Sequence, residues 1–92
     1  MKIKNGKVFY RLVIEKNATT KQEFMEFIRT KTTDMASIND IDGINFDQSQ
    51  ATAVNLPDVR IELHIKHDEI LMLFHTTMST SEFDEYTKKW FV

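Results

Sequence analysis

Residues 59–78 read VRIELHIKHDEILMLFHTTM, and the other predicted elements can be placed relative to these residues. In its first half every odd position from Val59 to Ile65 is apolar and every even position is polar, which is the period-two pattern of a half-buried strand. After a polar interruption at residues 66–69, the continuous apolar run of residues 70–74 indicates a second strand, suited to burial on both faces. The two halves therefore predict one antiparallel hairpin.

The polar interruption predicts how the two arms of the hairpin pair. If the turn centres on His67 and Asp68, Lys66 lies opposite Glu69, and the next apolar pairs are Ile65 with Ile70, Leu63 with Met72 and Ile61 with Phe74. One face is then entirely apolar, and a slip of one residue would scramble both faces, so the register is well specified. The turn lacks the glycine favoured in two-residue loops, which leaves a four-residue loop of the same register as an alternative.

Two further strands are expected beside the hairpin. Residues 7–15 predict a strand that alternates two sets of side chains, with Val8, Tyr10, Leu12 and Ile14 on one side and Phe9, Arg11, Val13 and Glu15 on the other. Residues 51–56 predict a strand that turns at Pro57 and Asp58, with Val54 opposite Ile61 and Thr52 opposite Leu63. The arm before Asn5 is expected to be a short edge strand or a frayed end.

Two amphipathic helices are expected around these strands. A capping box of Thr20 and Glu23 precedes a helix over residues 21–31, with an apolar stripe of Phe24, Phe27 and Ile28. Hydroxyl residues at 79–81 begin a second helix, with a stripe of Phe83, Tyr86 and Trp90. Between them, Met35, Ile38 and Ile41 recur every three residues, which suggests a short helical turn ending near Gly43.

The expected architecture is one α+β domain spanning residues 1–92. It has an antiparallel sheet of about four strands with the two amphipathic helices on one face, in the order β-α-β-β-β-α. A chain of 92 residues has no room for two cores. The only apolar run near the amino terminus, residues 8–14, is broken by Tyr10 and Arg11, so neither a signal peptide nor a membrane span is predicted and we expect a cytoplasmic protein.

Charge is unevenly distributed along this weakly acidic chain, whose net charge is −2. Residues 1–16 contain five Lys or Arg and one Glu. Residues 33–58, which we call the acidic segment, contain five aspartates and no Lys or Arg. Such a segment suits a basic partner surface.

No catalytic or cofactor-binding pattern stands out in the sequence. The chain has no cysteine, which excludes disulfides and thiolate zinc sites. In the predicted register His64 and His75 lie about 13 Å apart at roughly 3.3 Å per residue, so they cannot share a metal ion. A calcium loop aligned on Gly43 places Ile38 and Ser49 where carboxylate ligands are required. We therefore expect neither an enzyme nor a cofactor or metal.

A protein-binding surface is the expected function-bearing feature. Phe9, Val13, Leu71 and Leu73 are predicted to point away from the helices, and an apolar patch inside a polar rim is typical of an interface. The expected partner-binding residues are these four together with Arg11, Arg60, Glu62 and His64 at the rim, and Asp40, Asp42 and Asp47 of the acidic segment. The alternative is that residues 32–50 fold back and cover the patch with Ile41, Ile44 and Phe46.

The expected function follows from this surface. It is a small non-enzymatic protein-binding module of the inhibitor, immunity or anti-defence kind, which occludes a partner protein and is compatible with a homodimer. The partner's identity is not encoded in any motif. The alternative from another class is nucleic-acid binding through the basic amino-terminal strand, using Lys2, Lys4, Lys7, Arg11 and Lys16, with Phe9 and Tyr10 as stacking groups.

Overall fold

The structure is a computed structural model that describes residues 8–90. In chain order its elements are β1 (Val8–Glu15), α1 (Thr20–Lys31), α2 (Met35–Asp42), β2 (Gln50–Leu56), β3 (Val59–Ile65), β4 (Glu69–Thr76) and α3 (Thr80–Thr87). The four strands form one antiparallel sheet in the spatial order β1-β4-β3-β2. The α+β class and the four strands are confirmed. The arm before Asn5 lies outside the described residues.

The element order contains one more helix than predicted, because residues 35–42 form a complete helix. Asp34 caps it: its carboxylate accepts hydrogen bonds from the Ala36 backbone N–H and the Ser37 hydroxyl. Gly43 follows the last helical residue, as the spacing indicated. Ile38 and Ile41 are buried, so burial of this short apolar stripe holds the helix against the core.

The predicted register of the central hairpin is confirmed. The Lys66 N–H donates to the Glu69 carbonyl at 2.9 Å, so the pairing of the two arms extends to the residues that flank His67 and Asp68. The apolar pairs of β3 and β4 face one another as predicted, Ile65 with Ile70, Leu63 with Met72 and Ile61 with Phe74. Strand β2 also pairs as expected, with Val54 opposite Ile61 and Thr52 opposite Leu63.

All three helices pack on the apolar face of the sheet. Phe27 and Ile28 of α1 are fully buried, and Phe83 of α3 lies edge-on to Phe74 of the sheet at 4.9 Å between ring centroids. Phe46, in the loop after α2, packs 6.1 Å from Phe24. Ile41 and Phe46 therefore belong to the core between helices and sheet, and the alternative in which residues 32–50 cover the opposite face is wrong.

The amino termini of helices α1 and α3 are capped in different ways. Ser79 and Glu82 form a capping box at α3, in which each side chain accepts the other's backbone N–H, and these bonds lower the pKa of Glu82. The capping box predicted for α1 does not form. Its N-cap is Thr19, which makes no side-chain capping bond, and the Thr20 hydroxyl instead accepts the Asn17 N–H.

Helices α1 and α3 meet at an aromatic seam. The Phe27 ring is edge-on to Tyr86 at 5.6 Å, and the Lys31 ammonium lies 4.1 Å from the Tyr86 ring centroid. The Tyr86 hydroxyl is buried, and no atom of residues 8–90 makes a hydrogen bond to it. Burial, reinforced by the negative charge of Asp58, raises the pKa of Tyr86 to about 12.

Replacing that tyrosine tests the seam. We expect Tyr86→Phe to raise the free energy of unfolding at pH 7 by about 1 kcal/mol, because a buried hydroxyl without a partner is costly. Because the folded pKa is raised above the ordinary value of 10, wild-type stability should fall as pH rises from 10 towards 12, since the unfolded state then releases its proton first. Urea unfolding at pH 7 and at alkaline pH checks both effects. A Tyr86→Phe variant that is less stable at pH 7 would contradict this account.

Candidate functional site: the outer face of the sheet

The candidate site is the face of the sheet that points away from the three helices, and we call it the outer face. Strand alternation places every second residue of each strand on it, and the register aligns these residues across the sheet. Three cross-strand rows result: Phe9, His75, Arg60 and Asn55; then Arg11, Leu73, Glu62 and Ala53; then Val13, Leu71, His64 and Ala51.

The part of the outer face formed by β1 and β4 is largely apolar and accessible. Phe9 is 66% exposed and Val13 is 47% exposed, which are high values for large hydrophobic side chains in strands. Leu71 and Leu73 lie beside them on the neighbouring strand and are half-buried. The described part of the chain places no helix or loop over these four side chains, so their apolar surface faces solvent.

Polar groups order one end of the outer face. The Glu62 carboxylate and the His75 ring nitrogen Nε2 form a hydrogen-bonded pair between β3 and β4. The Phe9 ring lies edge-on to the His75 ring, with 4.6 Å between centroids. The three side chains thus hold one another in a fixed arrangement across strands β1, β4 and β3.

Two arginines of the outer face are accessible to a partner. Arg11 and Arg60 are exposed, and within residues 8–90 neither guanidinium forms an ion pair. His64 is half-buried in the row of Leu71. Eight of the predicted partner-binding residues therefore share this face: Phe9, Arg11, Val13, Arg60, Glu62, His64, Leu71 and Leu73.

The three predicted aspartates do not join them. Asp40 and Asp42 belong to α2, and Asp47 lies in the loop that follows. All three are exposed, but the buried side of α2 contacts the apolar face of the sheet, so they lie with the helices. The acidic segment docks on the opposite side of the sheet, so these three aspartates form a predicted contact surface separate from the outer face.

The structure also removes part of the predicted nucleic-acid site. Tyr10 points inward, where its ring stacks on Phe83 at 4.3 Å and its hydroxyl donates to the Met78 carbonyl. The Lys16 ammonium donates to the Phe46 carbonyl at 2.9 Å. Lys2, Lys4 and Lys7 lie outside the described residues. Of the members of that set within residues 8–90, Phe9 and Arg11 are exposed on one face.

Metal-binding geometry is absent from the part of the chain that the structure describes: it contains no cluster of three or more His, Asp or Glu side chains suited to one ion. Residues 39–47, which resemble a calcium loop in composition, form the end of α2 and a loop that buries Ile41 and Phe46. The arrangement on the outer face can bind a surface. At one end of this face, Arg60 and His75 line an open cleft of about 330 Å³.

Sequence reasoning missed two features of the molecule. One is the hydrogen bond between His75 and Glu62, which depends on a diagonal contact between β3 and β4 that no local pattern encodes. The free edge of β2, at Ala51 and Ala53, carries no chemical signal in the sequence. It becomes visible only when the strand order places β2 at the end of the sheet.

None of the helices within residues 8–90 combines the length and the apolar character that crossing a membrane requires. Comparison of the chain with protein-family models, with curated proteins and with solved structures found no match.

Proposed function

We propose that this chain is a small, non-enzymatic, cytoplasmic protein-binding module that uses its outer face to occlude the surface of a partner protein. Its mode of action would be that of an inhibitor, immunity or anti-defence factor. The observation that supports the proposal is an uncovered sheet face with apolar side chains on β1 and β4 and polar side chains beside them on β3. A monomeric protein gains nothing from keeping Phe9 in water, whereas an interface gains an aromatic anchor.

The size of the face sets the scale of the interface. Four strands about 4.8 Å apart, each about seven residues long at roughly 3.3 Å per residue, give a face of roughly 19 by 23 Å. That is about 400 Å², or about half of the ~800 Å² that a standard interface takes from each partner. A contact of standard size would therefore extend beyond the sheet face onto the surface around it.

The charged side chains of the outer face would determine how a partner is oriented on it. Arg11 and Arg60 project from the same end of the face as the Glu62–His75 pair, and a partner with carboxylates at that end would pair with both guanidinium groups. A second copy of this chain is a compatible partner, because two open sheet faces stack about 10 Å apart with their side chains interdigitated.

Capture from cells of the native source tests the proposal. We expect tagged wild-type protein to retain a specific protein, and Leu71→Asp to lose it, because an unpaired carboxylate would be placed inside the contact. Gln22→Asp is the matched control: it adds the same charge at an exposed position of α1 and should retain the partner. Val13→Asp is a second test variant, and circular dichroism confirms that each variant is folded.

Two outcomes of the capture experiment would overturn the proposal. One is retention of the same protein by wild type, Leu71→Asp and Val13→Asp alike. The other is the absence of any retained protein together with a monomeric mass by light scattering at high concentration. If the partner is a second copy, light scattering should show a dimer for the wild type and Gln22→Asp, and a monomer for Leu71→Asp.

Nucleic-acid binding is the second candidate, favoured by the exposure of Phe9, Arg11 and Arg60 on one face. Its signature is a steep loss of affinity with salt, because each phosphate contact releases counterions. A mobility-shift titration with single-stranded DNA and RNA at low and moderate salt separates the two candidates. Salt-sensitive binding that Phe9→Ala and Arg11→Ala both weaken would favour this second candidate.

A further inference from the structure

We propose that the free edge of β2 captures an extended segment of another protein, rich in Lys or Arg, as a fifth strand of the sheet. The segment would lie in the groove between β2 and helix α2, which we call the edge groove. This site adjoins the outer face along β2, and it adds a second contact surface of defined chemistry to the proposed function.

The hydrogen-bond pattern of the sheet shows which backbone groups of β2 are free. The Lys66 N–H donates to the Glu69 carbonyl, so the even-numbered residues of β3 pair with β4 and the odd-numbered ones pair with β2. The partners of those odd-numbered residues on β2 are Gln50, Thr52, Val54 and Leu56. The N–H and C=O groups of the intervening residues, Ala51, Ala53 and Asn55, therefore point away from the sheet.

These backbone groups have no other partner in the described chain. Outside the strand ladders, no backbone or side-chain hydrogen bond within residues 8–90 reaches the main chain of Ala51, Ala53 or Asn55. An edge of this kind is a template for one more strand, because each free N–H and C=O gains a hydrogen bond when an extended chain lies beside it.

A groove follows this edge. One wall is formed by Ser37, Asp40, Ile41 and Ile44, and the other by Thr52, Ala53, Val54 and Asn55. Successive strand residues point to opposite faces, so a groove that touches four consecutive residues must run along the strand edge. Its volume of about 390 Å³ lies within the range of about 300–1,000 Å³ found for ligand clefts.

The opposite edge of the sheet is less suited to an added strand. By the same pattern, the backbone groups of β1 that no strand within residues 8–90 pairs with belong to Phe9, Arg11, Val13 and Glu15. Charged side chains along an edge hinder strand addition, and Arg11 and Glu15 supply them on β1. The corresponding residues of β2 are two alanines and an asparagine, which carry no charge and leave the approach open.

Charge identifies the occupant as basic. Within the described residues Asp40 is the only charged side chain that lines the edge groove. The surrounding acidic segment has four more aspartates and no Lys or Arg. The neighbouring cations are Lys21, whose ammonium donates to the Asp42 carbonyl, and Arg60, which lies across the strand pair from Asn55. A second copy of β2 would bring two acidic segments together, so charge disfavours self-pairing.

A strand in this groove would present alternate side chains to α2. Every second residue of the captured segment would face Asp40, which predicts Lys or Arg at those positions. The intervening side chains would extend the row of small residues on the outer-face side of β2.

Nuclear magnetic resonance with a defined peptide tests the inference. The probe is a blocked seven-residue peptide in which lysine alternates with threonine and valine, and the control peptide has glutamate in place of each lysine. We expect the lysine peptide to shift the amide resonances of Ala51, Ala53 and Asn55 and to slow their hydrogen exchange. In the free protein these three amides should exchange faster than those of Thr52 and Val54.

Two variants sharpen the test. Ala53→Pro removes one free N–H that the ladder does not use, so the protein should fold and bind the lysine peptide at least about tenfold more weakly, the equivalent of a lost hydrogen bond. Asp40→Lys, at an exposed position, should reverse the preference to the glutamate peptide. The inference is overturned if the lysine peptide leaves the three amides unshifted, if both peptides bind equally, or if Asp40→Lys leaves the preference unchanged.

These outcomes are distinguishable from a failure of the outer-face proposal. A peptide that shifts the resonances of Phe9 and Leu73 rather than those of Ala51 and Ala53 would overturn the edge groove while leaving the outer face in place. Conversely, Leu71→Asp should leave peptide binding at the edge unchanged.

Discussion

Replacing Phe74 by alanine is expected to lower the free energy of unfolding by about 3–5 kcal/mol. Phe74 is fully buried at the centre of the apolar face, where its ring lies 4.9 Å from Phe83. It faces Tyr10 on β1 and Ile61 on β3, so truncation opens a cavity between the sheet and α3 that neighbours on three elements cannot close without moving.

The neighbouring residue supplies the matched control. Leu73 is half-buried on the outer face, so Leu73→Ala removes apolar contacts without creating an enclosed cavity, and we expect a cost below about 1.5 kcal/mol. Urea unfolding followed by circular dichroism, with unchanged slopes, measures both values. A cost for Leu73→Ala as large as that for Phe74→Ala would mean that the outer face is a second core.

The register of this sheet could be predicted from the sequence because two local patterns agree. Strict alternation over Val59–Ile65 assigns each side chain to a face, and the polar turn at residues 66–69 fixes the pairing with β4. The assignment of Phe9, Val13, Leu71 and Leu73 to a single face then followed from alternation alone. Each of these inferences depends only on period and spacing.

The docking of residues 32–50 could not be predicted in the same way. Ile41, Ile44 and Phe46 are apolar enough to pack on either face of the sheet, and nothing in their spacing prefers one. The structure places Ile41 and Phe46 against α1 and the inner face, where Phe46 contacts Phe24. Tertiary packing therefore determines which face residues 32–50 cover. Because they pack on the inner face, the outer face stays uncovered and Asp40, Asp42 and Asp47 lie on the side of the helices.

The edge groove could not be predicted from local sequence patterns, because it depends on how distant segments of the chain are arranged. Strand order decides that β2 is an edge, and the position of α2 decides that a groove forms beside it. The side chains of Ala51 and Ala53 have no recognisable functional chemistry. Their proposed role depends on backbone N–H and C=O groups that can form hydrogen bonds with an added strand.

Photo-crosslinking from position 9 should give a much higher yield of covalent adduct with the partner than photo-crosslinking from position 26. Phe9 is 66% exposed, so Phe9→p-benzoylphenylalanine enlarges a ring that already projects into solvent and should leave the fold intact. If the outer face contacts the partner, a photoreactive group at this position lies inside the contact and should form a covalent adduct when irradiated. Glu26 is the matched position, because it is exposed on α1 and that helix packs on the other side of the sheet.

Irradiation of these two variants in cells of the native source, followed by mass determination of the adducts, is the most direct test of an interface on the outer face. We expect one discrete adduct with a protein, or with a second copy of this chain, from the variant at position 9. We expect none above background from Glu26→p-benzoylphenylalanine. An adduct of equal yield at position 26, or an adduct at position 26 alone, would contradict an interface on the outer face.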